Sequence, residues 1–268
     1  MPFKLTNRVV VLTGAASGIG AALAQHLASK GAHLALIDRN RPALEQITET
    51  IRQTGLPVRR YVADLSDPAA IQPLPQAILA DLGPASVLIN NAGIALTGTF
   101  EQATAEQFDR VMAINFQAPV SLVRAFLPQL RSSGSAQIVN LSSLFGIIGV
   151  PGQVAYCASK FALRGFSEAL RAELLTTDIG VTVVHPGGIR TRILASADIS
   201  AGLDPQEAAA RKTSGQKFLR MDPGKAAERI VKGIERRENR ILVGADAHLL
   251  ALLQRLLPAS YGRLLSIF

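Results

Sequence analysis

Residues 9–20 read VVVLTGAASGIG. An apolar run leads without a break into a turn punctuated by glycine, and the last glycines open a helical pattern, GIGAALAQHLASKG, that Gly31 stops. A strand with no polar alternation is covered on both faces, which is the habit of parallel sheets. Parallel strands cannot be joined by hairpins, so each needs a crossover, usually a helix. The rest of the chain keeps to this layout. Strand patterns stand at 32–38, 58–64, 86–93, 136–143, 181–188 and 240–244. Helical patterns at 41–55, 67–82, 104–130 and 155–175 fall between them. Pro73 and Pro75 predict that the 67–82 helix is broken or starts late. Crossover handedness then leaves an α/β architecture, a doubly wound parallel sheet of about seven strands with helices on both faces. No repeat, low-complexity tract or linker interrupts it, so residues 1–268 are expected to form a single domain.

The bulk numbers fit. With 268 residues, 48% hydrophobic and 18% charged, the chain can bury one large core. No uninterrupted apolar run approaches ~18 residues, so no membrane span is expected. The start, MPFKLTNRVVVLTG, has no leader-like stretch, and the one cysteine, Cys157, excludes an internal disulfide or a thiolate metal cage. A cytoplasmic, metal-free protein is expected. Net charge is +8: residues 1–180 carry 14 basic and 12 acidic side chains, residues 181–268 carry 14 and 8. The excess, mostly between Arg211 and Arg240, is expected to be a solvated helix face rather than a nucleic-acid patch.

Doubly wound sheets bind ligands beyond the carboxyl ends of their strands, so the segments after strands should carry the chemistry. Gly14 can turn the chain sharply out of the first strand, while Gly18 and Gly20 clear space for a pyrophosphate and for helix packing. The helix beginning near Gly18 would aim its free N–H groups and positive dipole end at phosphates. An acidic residue, Asp38, ends the second strand 18 positions after Gly20. Together these features predict a Rossmann-like dinucleotide site. Arg39 follows Asp38 at once and sends the opposite message, since a carboxylate suits the ribose hydroxyls of NAD and a guanidinium suits the phosphate of NADP. Asp38 holds the strand-end position, and Ala15, Ala16 and Ser17 offer no basic partner for a phosphate. NAD is the favoured cofactor, NADP the alternative, with Arg39 stacking on adenine or facing solvent.

In YCASK, Tyr156 and Lys160 are four apart on a predicted helix, about one turn or ~6 Å from each other. A phenol titrates near ~10, and bringing it to ~7 takes about 4 kcal/mol of differential stabilisation. A neighbouring ammonium works in that direction, helped by a cationic nicotinamide. Such a pair suits proton exchange with an alcohol or carbonyl. The strand before it ends in Ser142 and Ser143, either of which can hold a substrate oxygen.

The loop spacing G-x-x-x-G-x-G, NNAG at 90–93, the Tyr-x-x-x-Lys pair and HPGGIRT at 185–191 come in this order. In these motifs the chain resembles the short-chain dehydrogenase/reductase family, over nearly its whole length. The resemblance implies that Tyr156 is the acid/base, that Lys160 tunes it and holds a ribose, and that Ser143, thirteen positions before the tyrosine, positions the substrate oxygen. Asn115 would disturb its helix so that a water can sit near Lys160. The cofactor would meet Gly14, Ser17, Gly18, Ile19 and Gly20, then Asp38 and Arg39, Asp64 and Leu65, and Asn91, Ala92 and Gly93. Pro186, Gly187, Ile189 and Thr191 would frame its nicotinamide. Cys157 and His185 are expected to be packed rather than catalytic.

Residues 192–222 read as a lid over the substrate, facing apolar residues of 144–154. Ser143, Phe145, Val150, Gly188 and Leu194 are the expected substrate contacts. These walls favour an apolar secondary alcohol or ketone, or a lipid-like aldehyde. A non-catalytic dinucleotide sensor is the alternative of another class. The leucine-rich extension 245–268 is expected to be helical. It can cover the pocket, pack on another subunit, or lie on a membrane surface, where the enzyme would act on acyl chains. The resemblance also implies a homodimer or homotetramer built through the long helices.

Overall fold

A computed structural model describes residues 2–262. Its strands are β1 (Val9–Thr13), β2 (His33–Asp38), β3 (Val58–Val62), β4 (Ala85–Asn90), β5 (Leu96–Thr97), β6 (Ala136–Leu141), β7 (Ile179–Pro186), β8 (Asp198–Ile199) and β9 (Arg240–Val243). Its helices are α1 (Gly18–Ser29), α2 (Arg41–Arg52), α3 (Pro68–Ile71), α4 (Leu74–Leu82), α5 (Ala105–Met112), α6 (Ala118–Ser132), α7 (Val154–Glu173), α8 (Pro205–Gln216), α9 (Pro223–Glu235) and α10 (Ala245–Leu256). Seven strands form one parallel sheet in the order β3-β2-β1-β4-β6-β7-β9. The order reverses between β1 and β4, so the loops leaving those two strands diverge and open a crevice at their carboxyl ends.

The central strands are mainly apolar because they feed two cores. Val10, Leu12, Leu34 and Leu36 face Leu23, Leu27, Leu44 and Ile230 of α1, α2 and α9. Their neighbours Val9, Val11, Ala35 and Ile37 face Ile78, Leu122, Phe126 and Leu130 of α4 and α6. Successive side chains of a strand point to opposite faces, so a sheet covered on both sides leaves few polar positions. The run Ala105–Ser132 is long and apolar enough by composition to cross a membrane, with a mean hydropathy of 1.2. Its α6 part packs Leu122, Val123, Phe126 and Leu130 on the sheet, while Val111 of α5 packs with Leu96 and Ala155.

The prolines break the helical pattern at 67–82, ending α3 at Ile71 and starting α4 at Leu74. The pattern at 104–130 is also split. A π turn over Ala113–Gln117 joins α5 to α6. β5 and β8 pair in parallel outside the main sheet and are too short for any periodicity to reveal. Part of the basic excess is paired where it stands, in Arg211–Glu207, Arg229–Glu238, Lys232–Glu228 and Arg237–Asp178. In the leucine-rich extension, α10 packs Ala251 and Leu250 on Ile147, Ile148 and Val150, and residues 263–268 lie outside the described residues.

Candidate active site

The crevice between β1 and β4 opens into a cleft of about 580 Å³. Gly14, Ser17, Gly18 and Ile19 line it after β1, Asp38 and Arg39 after β2, Asp64 and Leu65 after β3, and Asn91, Ala92 and Gly93 after β4. Ser143, Tyr156 and Lys160 close its inner end, with Pro186, Gly187, Ile189 and Thr191 opposite. The expected cofactor residues thus meet on one surface, with one exception. Gly20 sits behind the wall, where a Cβ would overlap the Gly14 carbonyl, so its bareness serves the seating of α1.

The first turn is shaped for an anion. Gly14 and Gly18 hold φ values of +64° and +53°, which L side chains rarely adopt. A Cβ on Gly14 would lie 2.8 Å from Ala92 Cα, and one on Gly18 3.1 Å from Thr191 Cγ2. Ser17, the N-cap of α1, makes no side-chain capping bond, so it leaves the N–H groups of the first turn to a ligand. At the rim, Asp38 accepts the Ala16 N–H through Oδ2 at 3.0 Å and the Asn40 N–H through Oδ1 at 2.9 Å. Those bonds fix the carboxylate without exhausting its lone pairs. Two hydrogen bonds from Ser66, with Arg39 and Arg110 nearby, hold the Asp64 carboxyl below its usual range. Cradle, helix terminus and carboxylate are the parts that a pyrophosphate and a ribose require, so these residues fit a dinucleotide.

Sequence reasoning missed Thr13. Its hydroxyl accepts the N–H groups of Asn91 and Ala92 at 3.0 and 3.1 Å, and the Asn91 amide donates back to the carbonyls of Thr13 and Gly14, both at 3.0 Å. This stitch fixes the width of the crevice. Its only trace in the sequence is a hydroxyl residue at the end of an apolar strand.

At the inner end, the long helix α7 carries Tyr156 and Lys160 on one face, and both are buried. Lys160 Nζ donates to the Leu141 carbonyl at 2.9 Å and stands 5.6 Å from the centre of the Tyr156 ring. Burial pushes the Tyr156 phenol up to about 12, against a hydrogen bond from Ser143 that pulls it down. Burial also lowers the Lys160 ammonium to about 8. Desolvation therefore dominates in the protein alone, and the phenol keeps its proton at neutral pH. Asn115 is fully buried in the π turn. Its Oδ1 accepts the Ile94 N–H at 2.9 Å, and its Nδ2 donates to the Ile94 carbonyl at 2.9 Å and to Ser159 Oγ at 3.0 Å. Oδ1 and Lys160 Nζ would lie 3.2 and 3.3 Å from a Cβ on Gly93.

Four of the expected substrate contacts do not line the cleft. Phe145 turns its ring onto Tyr156, edge to face at 6.2 Å. Val150 packs with Ala251 and Leu250 under α10. Leu194 lies over Gly215 of α8, and Gly188 is enclosed between Phe218 and Asp246. Ile94, Ile193, Ala195, Ser196 and Leu219 stand there instead. These residues lie on irregular backbone, where side-chain direction has no period to read. Cys157 faces the Ile148 carbonyl, and burial raises its thiol. His185 is fully buried with Nδ1 2.8 Å from the Ser143 carbonyl. A carbonyl can only accept, so Nδ1 carries the hydrogen; burial lowers this ring to about 4 and keeps it neutral.

The fold and the cleft are those of a dinucleotide-binding protein. The profile of the short chain dehydrogenase family matches residues 8–200. SadH of Mycobacterium tuberculosis, named as an oxidoreductase, is 39% identical over 262 residues that cover 97% of this chain and 94% of SadH. Among solved structures, a short chain dehydrogenase/reductase from Burkholderia phymatum in complex with NAD is similar at 26% identity and a TM-score of 0.87, covering 96% of this chain and 95% of that one. A short-chain dehydrogenase from Sphingobium yanoikuyae in complex with NADPH is similar at 31% identity and a TM-score of 0.76, covering 94% and 96%. The chain belongs to the short chain dehydrogenase family. It is an NAD(P)-dependent oxidoreductase acting on a CH–OH group or the corresponding carbonyl.

Proposed function

We propose that the enzyme interconverts an apolar secondary alcohol and its ketone, or a lipid-like aldehyde, and prefers NAD. The convergence of Ser143, Tyr156 and Lys160 at the closed end of the cleft carries the reading. When bound, the nicotinamide supplies or takes up a hydride, and its oxidised form adds positive charge that favours the phenolate. Ser143 holds the substrate oxygen. In reduction, Tyr156 gives its phenolic proton to that oxygen as it gains negative charge; in oxidation, the phenolate takes the proton from the alcohol. Lys160, anchored on the Leu141 carbonyl, holds a cation beside the ring and binds a ribose hydroxyl. Asn115 keeps the π turn open for a water that exchanges protons with Lys160. Ile94, Ile189, Ile193 and Leu219 support an apolar substrate.

Tyr156→Phe is expected to lower kcat at least ~100-fold while the dinucleotide Kd stays within about threefold. Normal turnover in that variant would sink the mechanism. A panel of ketones, followed by nicotinamide absorbance, tests the substrate class; a preference for carboxylated substrates would transfer the leading role to Arg192, which also lines the cleft. The fixed Asp38 carboxylate at the rim supports NAD. Asp38→Ala should move the NAD/NADP ratio of kcat/KM toward NADP by about tenfold, and an unchanged ratio would contradict the preference.

A second reading rests on α10. Leu249, Leu252 and Leu256 are 67%, 54% and 68% exposed and share one face of the helix. Such a face suits contact with a lipid surface. Vesicles with anionic headgroups should sediment the full chain and lose it in Leu249→Ser/Leu252→Ser/Leu256→Ser; equal sedimentation would remove this reading. For assembly, we propose a homodimer or homotetramer joined through α6 and α7, checked by light scattering on the purified enzyme.

A further inference from the structure

Asp246 stands in the first turn of α10, where an acidic residue is ordinarily explained by the helix dipole. Its carboxylate does something more specific. Oδ2 accepts the backbone N–H of Gly188 at 2.6 Å, across 58 residues of sequence. Three glycines make room for it, since a Cβ on Gly187, Gly188 or Gly244 would crowd the Asp246 carboxylate or, at Gly188, overlap the Phe218 carbonyl. The other side of the same residue is held as well. The Gly188 carbonyl accepts the N–H groups of Arg220 and Met221 at 2.9 and 3.0 Å. The backbone of Gly188 is therefore gripped on one side by α10 and on the other by the trailing end of segment 192–222. Its neighbours Gly187 and Ile189 line the cleft, while Gly188 itself does not.

We propose that Asp246 is a positioning residue that sets the backbone of residues 187–191 and thereby the wall against which the nicotinamide end of the cofactor rests. The proposal rests on the functional reading above. A bare backbone at 187 and 188 has no side chains of its own to pack, so its path is decided by what bonds to it. A charge-assisted bond to a backbone N–H is stronger than a neutral one, and here it is the link between α10 and that path. The GG pair after Pro186 is then the sequence trace of a carboxylate approaching from another element.

Two variants test this in the full-length enzyme. Asp246→Ala removes the acceptor; Asp246→Asn keeps shape and an acceptor oxygen but loses the charge. Amide hydrogen exchange of the cofactor-free protein should speed up about tenfold or more at Gly188 in Asp246→Ala, with a smaller change in Asp246→Asn. The Kd for NADH, read by nicotinamide fluorescence, should rise about tenfold in Asp246→Ala and less in Asp246→Asn, with cofactor KM rising more than kcat falls. Exchange elsewhere in the sheet should stay unchanged, which separates positioning from general loss of stability. If Asp246→Ala does not fold, the graded effects in Asp246→Asn decide. Wild-type exchange at Gly188 together with wild-type NADH affinity in both variants would overturn the proposal. A wild-type enzyme that binds no dinucleotide would instead overturn the functional reading itself, and with it the role assigned to Asp246.

Discussion

His185 shows how one buried ring ties pH to the reacting end. It is neutral, and its Nδ1 hydrogen holds the Ser143 carbonyl. Folding lowers its pKa to about 4 from an unfolded value near 6.5. Between those values the unfolded chain binds the extra proton and the folded chain does not. Stability from keeping the ring neutral is thus full above pH ~6.5 and is lost as pH falls toward ~4, on the order of 3 kcal/mol at most. Thermal melts should show Tm falling by several degrees between pH 7 and 5, with a shallower slope in His185→Asn; parallel slopes would refute this. At this scale the sequence is uneven as a guide. Tyr156, Lys160, Ser143 and Asp38 sit in short motifs whose chemistry is local. Asp246 and Thr13 act on backbone from distant elements, and nothing in their immediate neighbourhood announces it.

Elements were legible where a single rule governs them. The apolar strands, the break at Pro73 and the course of α7 all follow from periodicity and proline. The π turn at Ala113–Gln117 has no trace in the periodicity; the expected disturbance of the helix at Asn115 falls within it, where that side chain reaches across to Ile94. Segment 192–222 is bound at both ends, by β8 to β5 and by Met221 to Gly188 and Arg190, while between them α8 buries only Ala208. Helix α7 offers a cleaner test. Gly165 lies in its exposed interior with nothing near its Cβ direction. Where this part of α7 stays outside the proposed subunit interface, Gly165→Ala should stabilise the chain by about 0.5–1 kcal/mol and raise Tm by a few degrees. A lowered Tm would show that this face is packed against another copy of the chain.

For the whole molecule, the sheet order follows from alternation plus handedness, and the crevice follows from the sheet order. The cleft's position was therefore readable long before its substrate walls, which depend on how irregular segments pack. The N-terminal segment is also tied to the end of α9: Phe3 donates its N–H to the Glu235 carbonyl at 2.7 Å, and the guanidinium groups of Arg8 and Arg237 stand 4.3 and 5.3 Å from the centre of its ring. Phe3→Ala removes a nearly buried ring and both cation contacts, and should lower stability by about 3 kcal/mol, measured by urea unfolding. A loss under ~1 kcal/mol would mean that this closure is ornamental.

The two-sided grip on Gly188 has a kinetic consequence. Gly188, set between the cleft-lining Gly187 and Ile189, also holds the trailing end of segment 192–222, so whatever settles the one settles the other. Turnover should therefore follow a compulsory sequence, with dinucleotide first on and last off. Product-inhibition patterns would show it, with competitive inhibition only between the two nicotinamide forms.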